Sequence, residues 1–177
     1  MAENGDVLTD LNLDPASANG ADTAPAAGII TQYIKDMSIE NPNAPACFQW
    51  TEQPGIDLQF NIAANQIDKE IHEVELKITV TAKTGQGNLY LVELSYCGLV
   101  GLRNLPDEHA HAFLYAETPR LLFPFARNAI ADAVRHAGFP PLLLEPIDFG
   151  GIYQQQLAAR AQEMQNEAAG QPPAGEA

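Results

Sequence analysis

The stretch His72-Glu73-Val74-Glu75-Leu76-Lys77-Ile78-Thr79-Val80-Thr81-Ala82-Lys83 decides the fold. Val74, Leu76, Ile78 and Val80 share one face of an extended chain, and Glu73, Glu75, Lys77 and Thr79 share the other. Side chains alternate sides along a strand, so one face is apolar and the other wet. That pattern predicts an antiparallel strand of a sheet covered on one side. The turn-forming run Thr84-Gly85-Gln86-Gly87-Asn88 follows, with residues that tolerate positive φ. Residues 89–97, LYLVELSYC, then return as the partner strand of a hairpin.

Working outward, Ile56, Leu58, Phe60 and Ile62 alternate with Asp57, Gln59 and Asn61 and predict a second strand. A further one runs from Ile29 to Glu40 and stops at Asn41-Pro42-Asn43. Four strands therefore come in succession with no helix between them. After Pro106 the period changes. Thr118-Pro119 reads as an N-cap before a proline at the first helical position. Leu121, Leu122, Phe125, Ala129, Ile130, Ala133 and Val134 form a wide apolar stripe, and Gly138 ends the helix. Pro124 should kink that helix or sit near its start. The Pro-rich connection GFPPLLLEPIDFGG leads to a last helix from about Ile152 to Gln165. Strands first and helices after them imply an α+β fold: a four-stranded antiparallel sheet followed by two helices.

The chain has 177 residues, 46% of them apolar, enough for one domain with tails. Nine Lys and Arg against 23 Asp and Glu give a net charge of −14. Nucleic acid and anionic lipid both demand a basic footprint, so neither is an expected partner. A basic protein surface is a better one. Residues 1–27 carry acids but no base, and 165–177 read similarly; both are expected to be disordered tails around a folded domain of 28–164. The N-terminus lacks the basic and apolar regions of a secretory signal. With Cys47 and Cys97 outside any CxxC, the expectation is a cytoplasmic protein with free thiols.

No motif for catalysis stands out: there is no GxSxG, P-loop or HExxH. His109 and His111 are two apart, point to different sides of a helix, and have no second cluster to complete a metal site. The expectation is no enzyme, no cofactor and no metal. What does stand out is apolar residues in irregular segments. Phe48 and Trp50 lie between the first two strands, and Phe139, Leu142, Leu143, Leu144, Phe149 and Tyr153 lie between or beside the helices. These either cover a satellite core or wall a groove for another chain. A small-ligand or enzymatic cleft is the rival reading. Acids also gather on the polar strand faces: Asp36, Glu40, Glu73, Glu75 and Glu93.

Met37-Ser38-Ile39-Glu40-Asn41-Pro42-Asn43-Ala44-Pro45, Tyr90-Leu91-Val92-Glu93-Leu94, Leu122-Phe123-Pro124-Phe125-Ala126-Arg127 and Gly138-Phe139-Pro140-Pro141-Leu142-Leu143-Leu144 resemble the SecB family of protein-export chaperones. The resemblance spans about residues 29–157, in order and at matching spacing. It implies a homotetramer, a dimer of dimers with the helices between the sheets. It also implies a holding chaperone that binds unfolded secretory precursor proteins without ATP. Such a chaperone keeps them competent for translocation and delivers them to the motor ATPase SecA.

By the same resemblance, the SecA-binding surface falls on Asp36, Glu40, Leu91 and Glu93. The precursor groove falls on Phe48, Trp50, Phe123, Phe125, Phe139, Leu142, Leu144 and Tyr153. Val92, Leu94 and Tyr96 are placed near the contact between dimers. The chain departs from the family pattern in two places: Trp50 lies four residues before Pro54, and Glu117 stands where an aromatic residue precedes Thr118-Pro119.

Overall fold

A computed structural model describes residues 24–170. Of the expected tails, 1–23 and 171–177 lie outside them, whereas Ala26 and Ala27 open a strand and 165–170 continue the last helix. Four strands, β1 (Ala26–Glu40), β2 (Gly55–Asp68), β3 (Ile71–Thr84) and β4 (Gly87–Arg103), form one sheet in the order β1-β4-β3-β2. Every pairing is antiparallel. The hairpin partner runs six residues beyond Cys97, because Gly98 to Gly101 pair with both β3 and β1, and Leu102 and Arg103 continue along the start of β1.

The register sets the two faces. Val80 pairs with Val92, Ile78 with Leu94 and Leu76 with Tyr96. On β1, Met37 pairs with Leu94 and Ile34 with Tyr96, so these side chains share the same inner face. Leu76, Ile78, Val80, Val92 and Leu94 are wholly buried there. Each such side chain contributes about 1.5–3 kcal/mol by leaving water. The polar face carries Glu75, Lys77, Ser95 and Glu93 at the matching positions.

The inner face is covered by α2 (Thr118–His136). The expected stripe divides into two rows. Leu122, Ala126, Ile130 and Val134, spaced by four, are wholly buried against the sheet. Leu121, Phe125, Ala129 and Ala133 form the neighbouring row, with Leu121 and Phe125 exposed. The helix lies close to β4 at Gly98, where an added Cβ would stand 3.1 Å from Leu122 Cδ2. Gly138 adopts φ +95° and ends the helix, as expected.

The helix does not begin at Thr118. It starts eleven residues earlier with α1 (Asp107–Ala112), then passes through a π-helical turn at Phe113–Glu117. Thr118 is itself helical, and its buried hydroxyl has no partner, so it caps nothing. The widened turn accommodates Pro119, which has no N–H to offer the preceding turn. Pro124 sits well inside α2, not near its start.

The last helix, α3 (Phe149–Gly170), starts three residues before the expected point and extends beyond Gln165. Asp148 sets its start: its side-chain Oδ1 accepts the Gly151 N–H at 2.9 Å, the usual N-cap arrangement. No helix among the described residues is long and apolar enough to cross a membrane.

Candidate functional site

The outer face of the sheet gathers the acids. Asp36 lies opposite Ser95, Ser38 opposite Glu93, and Glu40 opposite Leu91. Asp36, Glu40 and Glu93 are exposed, with Leu91 half-buried between them. All four residues expected to bind SecA therefore share one patch across β1 and β4. A β-bulge between Ile34 and Asp36 makes this possible. It lifts Lys35 out of register, so Tyr33 and Asp36 both face outward.

Glu73 and Glu75 do not join that patch as equals. The Tyr33 hydroxyl donates to Glu73 Oε1 at 2.5 Å, and Lys35 Nζ donates to Glu73 Oε2 at 2.7 Å. Those bonds hold the Glu73 carboxyl below the usual carboxylate range, Lys35 first and Tyr33 next. The same carboxylate pushes the Tyr33 hydroxyl up to about 12. A carboxyl depressed by folding stabilises the protein above its ordinary pKa, and that gain fades as pH falls through its folded value. Glu73→Gln is thus expected to reduce stability modestly at pH 7, and the gap should narrow as pH falls below the ordinary carboxylate range, where the group takes up its proton in the folded protein too. Urea midpoints of the two proteins across an acid titration test this; a gap that stays constant as pH falls would rule it out.

Cys97 is buried beneath this network. Burial, with help from Glu73 and Glu75, pushes its thiol up to about 11. It is a neutral, inert core residue at physiological pH. Cys47 is likewise buried, and both are free thiols.

On the inner face, the groove residues separate into three groups. Phe48 lies against Phe139 with ring centroids 5.1 Å apart, and Phe139 is equally close to Tyr90. Trp50 and Leu142 pack beside the main core and are half-buried. Two asparagines fix this end. Asn41 Nδ2 donates to the Ala137 carbonyl, and Asn43 Nδ2 to the Asn88 carbonyl, both at 2.9 Å. Phe123 forms a second group, edge-to-face with Phe149, which meets Phe60 of β2 in the same way. Leu144 is buried near it, and its carbonyl accepts a hydrogen bond from Arg127 Nη1 at 3.3 Å. Tyr153 stands further along, bonded to His111 Nδ1 at 2.8 Å.

These groups follow β2. Tyr90 pairs with Ala82, which pairs with Ile56; Phe60 lies four residues on, and Ile62 to Ala64 beside Tyr153. The aromatic line thus runs about 27 Å, eight residues of strand. Phe125 does not belong to it. That side chain is 53% exposed on the other side of α2, lining a shallow depression with Ile34, Met37 and Tyr96.

Val92 and Leu94 are fully enclosed within the chain, under α2, and have no surface left to share. Tyr96, 8% exposed, reaches the depression beside Phe125. Sequence reasoning missed Phe60, Tyr90, His111 and Tyr115 as neighbours of the line. By pattern Phe60 and Tyr90 are strand residues and nothing more. The i, i+4 spacing of His111 and Tyr115 was the one available signal, and it was hidden by the unrecognised helix.

No group of three or more His, Cys, Asp or Glu among the described residues is placed to hold a metal ion. Fold and surfaces together define an α+β protein with an aromatic line on the helix-covered side of its sheet and an acidic patch on the other.

Comparison with known proteins gives that class a family. The model described as preprotein translocase subunit SecB matches residues 20–160. The protein-export protein SecB of Erythrobacter litoralis is 64% identical over the whole of both chains. That of Novosphingobium aromaticivorans is 61% identical over 89% of this chain and 92% of its own. Among solved structures, a SecB-like chaperone of Mycobacterium tuberculosis, in complex with a ChAD peptide from an antitoxin, shares the fold. Its TM-score is 0.58 at 19% identity, covering 68% of this chain and 90% of that one. The chain belongs to the SecB family of protein-export chaperones, which is not a class of enzymes.

Proposed function

We propose that this chain holds unfolded secretory precursors along the aromatic line beside β2 and passes them to SecA from the acidic outer face. The aromatic line carries this reading. It offers apolar burial, which is non-directional and yields about 25 cal/mol per Å². A surface of that kind accepts many sequences, as a holding chaperone must. β2 is also an edge strand of the sheet, and an unpaired strand edge offers main-chain hydrogen bonds to any extended segment. The peptide held by the mycobacterial chaperone is consistent with such use. No step of this activity needs a catalytic group or nucleotide.

The second row of α2 supports the proposed assembly. Leu121 and Phe125 are exposed although they lie on an apolar stripe. In a dimer of dimers with helices between the sheets, that row is covered by the other dimer. A long client crossing several grooves then gains avidity from modest individual sites. A charge of −14 on every copy keeps such assemblies apart. A cytoplasmic location fits precursor capture before export.

Two measurements test this. Without nucleotide, the protein should suppress aggregation of a chemically unfolded precursor and ignore its folded form; equal indifference to both would end the reading. Tyr96→Arg places a charge beside the exposed row and is expected to shift the mass in solution from tetramer to dimer. An unchanged tetramer would show that this depression is not where the dimers meet.

A further inference from the structure

Glu73 lies on the same outer face as the acidic patch, but its carboxylate is not open to a partner. The side chain is 12% exposed, and both oxygens are occupied, one by the Tyr33 hydroxyl and the other by Lys35 Nζ. β4 lies between β1 and β3 in the sheet. The two β1 side chains therefore span two strand spacings, about 9–10 Å, to meet this carboxylate. They pass over Cys97, which pairs with Tyr33 on one side and with Glu75 on the other. The Tyr33 bond fixes the carboxylate, and the fixed carboxylate holds the lysine by a charged hydrogen bond.

The place of that lysine matters because of its neighbour. Lys35 is the extra residue of the bulge between Ile34 and Asp36, and consecutive Cα atoms are about 3.8 Å apart. Asp36 makes no ion pair among the described residues. A lysine is a point charge on a flexible four-carbon stem, and this one keeps about half of its side chain exposed. Glu73 draws its charge across the sheet, away from Asp36. Lys77 shows the other arrangement: it stands 4.0 Å from Glu93, with both side chains about half exposed. There a base sits inside the patch, loosely against one of its acids.

We propose that Glu73 is a positioning residue for the docking surface: it holds the Lys35 ammonium away from Asp36, so that Asp36 stays open to a basic segment of the partner. The inference rests on the proposed hand-over to SecA and adds a residue that acts on that surface without touching the partner. Glu73→Gln keeps the size of the side chain and an acceptor for Tyr33, but not the charge that draws Lys35. The released ammonium then stands beside Asp36. There it competes with the partner's cations for the carboxylate and repels them. No acid of the patch itself has changed.

Capture by SecA at low salt, with the wild-type protein as reference, tests this in three variants. Glu73→Gln should weaken capture about 3–5-fold, the scale of one exposed charge interaction. Adding Lys35→Met should bring capture back to within about twofold of wild type, whereas structural damage would deepen with the second substitution. Glu75→Gln is the control for charge alone. Glu75 occupies the next outward position on β3 and makes no ion pair among the described residues. Its loss removes the same unit charge and should weaken capture less than about twofold. A loss in Glu73→Gln no larger than in Glu75→Gln, as follows if the freed Lys35 turns to Glu75, would overturn the proposal. So would a failure of Lys35→Met to restore capture. Asp36→Lys with Glu93→Lys separates the two readings. If that pair leaves capture intact, the docking surface is misplaced and both readings fall. If it weakens capture while Glu73→Gln behaves as Glu75→Gln does, the surface stands and the positioning role alone is lost.

Discussion

Replacing Asp36 and Glu93 together by lysine is expected to weaken capture by SecA at least tenfold at low salt, with the grip on unfolded precursor unchanged. The two acids occupy neighbouring strands on the outer face, flanking Ser38 and Ser95 in the register. Two substitutions change the local charge by four units, where opposite fields steer association and like charges repel. The fold should tolerate them. Asp36 and Glu93 are exposed, and the one ion pair Glu93 makes, with Lys77 at 4.0 Å, is about half exposed on both sides. Pairs of that kind contribute roughly 0–1 kcal/mol. In the proposed arrangement the unfolded chain meets the opposite side of the sheet, across a fully buried layer, so its binding serves as the internal control. Both affinities should be measured at two salt concentrations. The loss for SecA should shrink in high salt, as screening removes a surface charge effect. Loss of both activities together would mean that the acidic face does not act separately from the groove.

Phe149→Ala is expected to cost about 3–5 kcal/mol of stability, the range for emptying a large aromatic site in a core. Phe149 is only 2% exposed although it opens a helix at the end of an irregular connection. Its ring lies between Phe60 of β2 and Phe123 of α2, with centroid separations of 5.6 and 5.7 Å. A loss of that size is a large part of the roughly 5–15 kcal/mol that holds most domains folded. Urea unfolding followed by tryptophan fluorescence reads it directly, since Trp50 is the single tryptophan. At native concentrations the folded fraction should also lose the groove's middle section. A drop below about 1 kcal/mol would show that the connection packs without this anchor.

What could be read in advance depended on whether a local pattern and the tertiary environment asked for the same thing. The alternation from His72 to Lys83 was unambiguous because every even position from Val74 to Ala82 is buried in the finished sheet. β1 was harder. Its bulge beyond Ile34 exchanges the two faces, so no single period places both Tyr33 and Asp36 outward. Strand order was invisible to periodicity, since β1 pairs with β4, more than fifty residues away, instead of with its successor. The helix start differs from the expected one for a physical reason. Proline at a first helical turn and proline after a π-helical turn look alike in sequence, as both remove an unmatched N–H. Asp148 was a genuine N-cap signal, overshadowed by the two glycines that follow it.

The candidate surfaces were legible to different degrees. Asp36, Glu40, Leu91 and Glu93 come together because they sit on paired strands, where position dictates face. The groove residues lie on a loop, a helix and a crossover, and their grouping depends on how those segments fold back. That folding back is why Phe60 and Tyr90, ordinary strand positions by pattern, complete aromatic contacts that no spacing announced. Phe125, two residues from Phe123 on the same helix, was different: a step of two turns about 200° around a helix, so it ends on the opposite side of α2.

The central claim, that several copies of this chain together hold an unfolded polypeptide without nucleotide, is tested most directly by native mass spectrometry. The purified protein is mixed with a secretory precursor diluted from denaturant, and separately with the same precursor in its folded form. The account predicts a tetramer carrying one unfolded chain, and a bare tetramer beside the folded one. Bare tetramers in both mixtures, or equal binding of both forms, would contradict it.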